Sequence, residues 1–333
     1  MRRFFVFLGV VFWTIGSVVS AQEVDKNIPD VSIGARAGYV QDFAESAGRF
    51  CGDGVYLDVN GKINPSFSYS WNQTIASRYI DDVSGFNGTN WLTLTYEVSD
   101  FAFSVGKDGL LVGSFEYDTA DIDSYYEINS MFYNMLDCWQ WGVSAAYYPS
   151  DSHEIILQAA NSPFSYEDTN LFAYAAAWRG YWDCYESYWT ANMWQFDNGK
   201  YMKSLNLGNR FYIGDFTVDL EYMTRAHDVK GLFTSDFTTM IVPSYEWNWG
   251  RAFAKFCFEH VAEDLPYELA YESGNYMLYG AGAEFFPLKD NKNLRAHTIW
   301  AADSFGLNTL NIGFTWIIDF TGAAKKLFGN SDN

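Results

Sequence analysis

Glu116, Asp118, Asp121, Asp123 and Glu127 stand in one short stretch, EYDTADIDSYYE, that contains no Lys or Arg. Carboxylates this close together can do acid–base work, or they can set the sign of the field along a water-filled path. The first use asks for catalytic company that the chain does not supply. His153, His227, His260 and His297 lie on separate segments, and no HExxH, GxSxG or P-loop pattern occurs. Cys51, Cys138, Cys184 and Cys257 are spaced too widely for a zinc site. Gly280-Ala281-Gly282 is better explained by strand curvature than by a cofactor. No enzyme, cofactor or metal site is therefore expected. The second use needs a wall around a lumen, so the next question is what the chain builds around this acidic run.

It builds strands. In LNIGFTWIIDF, Leu310, Ile312, Phe314, Trp316, Ile318 and Phe320 alternate with Asn311, Gly313, Thr315 and Asp319. Side chains alternate faces with period two, so one face is apolar and the other polar. The same alternation recurs in VSIGARAGY from Val31, WLTLTYEV from Trp91, DFTVDLEYMTR from Asp215 and YMLYGAGAEFF from Tyr276. About sixteen such segments of roughly ten residues follow one another, the length and even number of a tilted, closed membrane barrel. Their expected starts are 31, 54, 66, 90, 101, 138, 153, 170, 186, 201, 215, 233, 251, 274, 293 and 309.

The gaps between segments sort by length. Those at 64–65, 99–100, 150–152, 214–215, 248–250 and 288–292 are short, and those at 44–53, 77–89, 116–136 and 263–272 are long. A barrel with tight turns at one rim and longer loops at the other predicts this sorting. Aromatics flank several short turns, namely Tyr147 and Tyr148, Trp247 and Trp249, and Phe285 and Phe286. They fit a girdle at a membrane–water boundary. Aromatic residues make up 20% of the chain, more than a water-borne sheet of this polarity needs. A secreted β-rich protein that stacks sugars on its rings is the competing reading, and the loop sorting and the final strand argue against it.

The ends and the charge bound the rest. Arg2 and Arg3, the apolar run Phe4–Val19 and the small residues up to Ala21 read as a signal peptide over 1–21. A polar lead-in over 22–30 precedes an all-β transmembrane barrel over 31–320, and 321–333 forms a tail. The net charge of −20 makes nucleic acid an improbable partner. Export permits disulfides. Cys51 and Cys138 fall in or beside loops at the same rim, which leaves a bridge open beside the plainer reading of isolated thiols.

Several stretches resemble the phosphate-selective porin O and P family of Gram-negative outer membranes. They are VGKDGLLVGSFEYD at 105–118, CWQWGVSAAY at 138–147, GKYMKSLNLGNRF at 199–211, EFFPLK at 284–289 and NIGFTW at 311–316. The resemblance implies a sixteen-stranded barrel in outer-membrane lipid, often a homotrimer, through which small solutes or ions diffuse. It also implies that the third outer loop, here Glu116–Leu136, folds inward and narrows the pore. The acidic run would then be the constriction and would favour cations weakly. Strand parity gives the inner face Arg36, Arg210, Arg225, Lys255 and Arg295. It also gives that face Asp58, Glu97, Asp219, Glu221, Glu259, Glu284 and Asp319, so phosphate selectivity does not carry over with the resemblance. An anion-selective pore with those five basic residues is the alternative, and an occluded barrel serving adhesion or assembly is another. Asn311, Gly313, Trp316 and Phe320 resemble the C-terminal signal read by the barrel-assembly machinery.

Overall fold

The computed structural model describes residues 28–80, 83–165, 170–262, 272–288 and 291–323. Sixteen antiparallel strands close into one barrel. The first eight are β1 (Asp30–Asp42), β2 (Ala47–Asn64), β3 (Phe67–Ser77), β4 (Thr89–Val98), β5 (Phe101–Gly109), β6 (Trp139–Ser150), β7 (His153–Asn161) and β8 (Phe172–Trp182). The second eight are β9 (Tyr185–Asp197), β10 (Lys200–Ile213), β11 (Phe216–Arg225), β12 (Asp236–Trp247), β13 (Gly250–Val261), β14 (Gly274–Phe285), β15 (Leu294–Asp303) and β16 (Asn308–Asp319). Each strand pairs with its sequence neighbours, and β16 returns to β1 with Ser32 opposite Asp319 and Asp42 opposite Thr309. Closure leaves no unpaired edge, which is the condition for crossing a bilayer with strands.

The alternation sorts as a membrane barrel requires. Leu92, Leu94, Tyr96 and Val98 on β4, Phe101, Phe103 and Val105 on β5, and Ile312, Phe314 and Trp316 on β16 are exposed on the outer surface. Their neighbours Thr95, Ala102, Asn311 and Thr315 are buried inside. Aromatics gather at the turns on the side of the chain ends. Phe101 stacks on Tyr147 at 4.9 Å, and Trp249 meets Trp247 at 5.2 Å and Phe285 at 5.9 Å. Phe286 turns inward and is buried.

The segment 44–53, expected as a long loop, is largely strand. β1 and β2 are joined by a tight turn at 43–46 and run on together, with Gln41 opposite Gly48 and Gly38 opposite Cys51. Glycines and charges hide the pattern there because this hairpin extends into solvent and needs no apolar face. A bulge between Arg36 and Ala37 puts Asp53 opposite no partner and re-aims it inward. The strand read from Phe101 also ends earlier, at Gly109, so the inward connection spans 110–138. All four cysteines are free thiols, which resolves Cys51 and Cys138 as unbridged. The signal-peptide segment 1–21, most of the lead-in 22–30 and the tail beyond 323 lie outside the described residues.

Candidate functional site

The connection 110–138 carries the acidic run and lies within the barrel. It holds a single 3-10 turn at Tyr126–Ile128 and a short helix, α1 (Met131–Met135), capped by the Ser130 hydroxyl, which accepts from Tyr133 N at 3.0 Å. Gly113 adopts φ +82, and a Cβ there would sit 2.5 Å from Thr190 Oγ1 on β9. That glycine lets the backbone turn against the wall. The Val112 carbonyl then accepts from Thr190 Oγ1 at 2.9 Å and from the Asn206 amide on β10. Gly280 on β14 has no side chain where Ile128 Cγ2 lies, since a Cβ would stand only 2.5 Å from it.

Apolar residues of the connection meet an apolar belt on the inner wall. Leu110, Val112, Tyr125, Ile128 and Phe132 pack with Trp194, Met202, Met223, Met240, Cys257, Leu278 and Ile299 from β9 to β15. Phe132 stacks on Trp194 at 6.2 Å, nearly parallel. A lumen that were water-filled throughout would have no use for such side chains. Their burial supplies a hydrophobic drive for docking the connection.

The carboxylates tie the same segment to the wall. Glu116 pairs with Lys255 on β13 and also accepts from Ser130 N at 2.7 Å and Ser130 Oγ at 2.6 Å. Asp118 makes a two-pronged pair with Arg179 on β8, at 3.0 and 2.8 Å. Asp123 faces Arg295 on β15 at 2.5 Å. Glu127 pairs with Arg78 beyond β3 and accepts from the Asn311 amide at 3.2 Å. Among the described residues Asp121 meets no cation in an ion pair, and it accepts from the Asn90 amide on β4 at 2.7 Å. Two-pronged guanidinium–carboxylate contacts fix direction as well as distance.

The five basic residues anticipated on the inner face are all engaged. Arg36 donates to the Ile122 and Ser124 carbonyls and to Thr315 Oγ1, and its guanidinium lies 4.2 Å from the Tyr125 ring centre. Arg210 pairs with Asp219 at 2.6 and 2.8 Å and covers the Phe115 ring at 4.1 Å. Arg225, fully buried, pairs with Asp236 at 2.6 Å and covers Phe132 at 4.2 Å. Lys255 and Arg295 hold the connection, as above. Glu259 accepts from Met131 N at 2.6 Å, and Glu284 accepts from Tyr125 Oη at 2.6 Å. Anchors therefore come from β1, β4, β8 to β10 and β13 to β16, so the segment touches the wall around most of the circumference.

Residues 50–181 match the model of the phosphate-selective porin O and P family. The match runs from β2 into β8 and includes the whole inward connection. Solved porins share the fold. A mutant of the Rh. blastica porin superposes with a TM-score of 0.59 at 13% identity, over 87% of this chain and 100% of that one. A porin structure refined at 1.8 Å gives 0.58 at 10% identity, again over 87% and 100%. OmpT, an outer membrane protein of Vibrio cholerae in its trimer form, gives 0.59 at 11%, over 88% and 100%. At these identities the likeness establishes the barrel. No curated protein matches the sequence.

In this porin-type barrel the acidic run and the basic residues meet as partners across the connection. Sequence reasoning missed Arg78, Arg179, Asn90, Tyr125 and Phe132. Arg179 was accessible by parity, because it continues the inner series Ala173, Ala175 and Ala177 on β8. Arg78 and Asn90 carried no such signal, since both sit at strand ends where parity lapses. Asn311, Gly313 and Trp316 lie on the closing strand β16, and Phe320 follows it, donating its backbone N–H to the Val31 carbonyl at 2.7 Å.

Proposed function

We propose that this protein is an outer-membrane porin, a passive channel for small hydrophilic solutes or ions that uses no cofactor or energy source. The observation that carries the reading is the closed sixteen-strand barrel with an apolar outer face and a segment folded into its lumen. Residues 1–21 direct export, the lead-in 22–30 and the tail 321–333 flank the barrel in the periplasm, and the closing strand with Phe320 is the signal for the assembly machinery. A homotrimer is the proposed assembly, by analogy with the trimer form named for the Vibrio cholerae protein.

The acidic run forms the constriction in this reading. Four of its five carboxylates are balanced by wall cations, so their field is muted. Asp58, Asp108, Glu154, Glu186 and Glu221 lie on the inner face outside the ion pairs described above, and they tip the channel toward a weak cation preference. An anion-selective channel is less well supported, because the candidate basic residues are committed to carboxylates or carbonyls. Liposome swelling with sugars of graded size tests the porin reading. Folded, inserted protein that gives no swelling with any sugar refutes it.

A specific observation favours a second reading. The anchors of 110–138 reach most of the circumference, which suits an occluded barrel that serves as an adhesion or assembly platform. Single-channel recording separates the two, since an occluded barrel gives no conductance steps.

A further inference from the structure

The inner wall is covered unevenly. From β8 to β15 the inward side chains at mid-strand are buried beneath the connection, among them Asn192, Asn206, Met223, Thr238, Cys257 and Ile299. On β3 to β6 the covering is patchy: Asn72, Thr95, Ala102 and Ala146 are buried, the two alanines against Phe115 of the connection, but Ser68, Ser70, Thr93, Ser104, Gln140 and Ser144 are only partly buried. The register aligns them. Ser70 lies opposite Thr93, Thr93 opposite Gly106, and Ser104 opposite Ser144, so they form one continuous strip across four strands. Their hydroxyls are steadied by neighbours: Ser104 shares a hydrogen bond with Thr95 at 2.8 Å, and Ser70 accepts from Trp91 Nε1 at 2.7 Å.

No charged side chain stands among Ser70, Thr93, Ser104 and Ser144, and the strip is bounded by Lys62 opposite Ser68 and Asp108 opposite Gln140. Asp58 on β2 flanks it and is held by Asn72 at 2.5 Å. Lys62 and Glu97 lie toward the rim of the chain ends, and Asp108 lies at the other end of β5. The charges that bind the connection come mainly from other strands, and between its charged ends the strip offers hydroxyl and amide groups.

We propose that solutes pass along the β3–β6 wall and that the channel favours uncharged polyhydroxylated solutes over charged ones of equal size. The assignment rests on the porin reading. Hydroxyl and amide groups can exchange hydrogen bonds with a sugar as they do with water. They carry no formal charge, so they offset the stripping of water from an ion only in part.

The experiment combines swelling and bilayer measurements on full-length protein. Proteoliposomes are challenged with a neutral hexose, its sugar acid and its amino sugar. The neutral sugar should enter several-fold faster than either charged analogue. Ser104→Arg should then move the reversal potential in a potassium chloride gradient toward anions, and Ser144→Asp should move it toward cations. Both variants are checked for folding by heat-modifiable gel migration, and the one that folds decides if the other does not. A folded, conducting variant with an unchanged reversal potential overturns the path. A sugar acid or amino sugar entering as fast as the neutral sugar overturns the selectivity. Wild-type protein that passes no solute at all fails the porin reading itself, a result distinct from either.

Discussion

Glu116→Gln is the sharpest perturbation of the inward connection. The Glu116 and Lys255 side chains are each 5% exposed, so the pair is screened little by water. Gln is close to isosteric and keeps one oxygen for Ser130 N, while its amide NH2 stands where the second oxygen accepted from Ser130 Oγ and can donate to that hydroxyl instead, so packing and neutral hydrogen bonding are largely retained. What is lost is the compensating charge beneath Lys255. Breaking a buried pair by removing one partner costs about 3–5 kcal/mol, chiefly because the other charge is stranded. The barrel ladder is untouched, so the loss falls on docking of the connection. At roughly 1.4 kcal/mol per decade, that raises the population of the released segment by about two to three and a half decades. Asp118–Arg179, Asp123–Arg295 and Glu127–Arg78 remain, so release is partial and intermittent. Single-channel recording should show added flicker and excursions to higher conductance, with unchanged heat-modifiable migration. Adding Lys255→Met removes the stranded charge and should restore much of the quiet trace. A Glu116→Gln channel as quiet as wild type, or a double variant noisier than the single one, would refute the reasoning.

Changing Asp118, Asp121 and Asp123 together to Asn strands Arg179 and Arg295, so the reversal potential should move toward anions, most at low salt. Gly280→Leu puts a side chain where Ile128 lies and should raise the noise of the open channel while leaving assembly intact, read by recording and gel migration. Trp316→Arg places a charge on the lipid face of β16 toward the rim, where Trp316 pairs with Leu294; the cost there lies between about 0–1 kcal/mol at the interface and about 2–4 kcal/mol at mid-membrane, and should cut the amount of assembled protein in outer-membrane fractions. Phe320→Ala should lower it less, and normal assembly of Trp316→Arg would reverse the face assignment of that strand.

The wall was more legible in the sequence than its contents. Period-two alternation is a local signal, so β4, β5, β11 and β16 could be read directly, and most strand starts fall within a residue or two of expectation. The β1–β2 hairpin was misread because its outer part has no lipid to face. Within the connection, the carboxylates could be seen but their partners could not. Asp118 and Arg179 are 61 residues apart, and Glu116 and Lys255 are 139 apart. No local pattern encodes such meetings. The apolar residues Leu110, Val112 and Phe115 read as more of strand β5, since alternation alone does not distinguish lipid from a packed lumen.

The seam between β1 and β16 has a consequence for how the barrel comes into being. Val31 and Phe320 meet across nearly the whole chain, and every ladder between them is made by sequence neighbours. Hairpins can form as each strand arrives, because most of their loops are short and the entropy of closing the longer ones grows only slowly with length. The seam has to wait for the last strand. Until then the growing sheet carries two raw edges able to pair with any other strand, the hazard that closure removes. The final contact is also the one with the greatest sequence separation, the kind that forms slowly. Before that contact the chain is an open sheet, and the β1 edge that later receives β16 is the one exposed the longest.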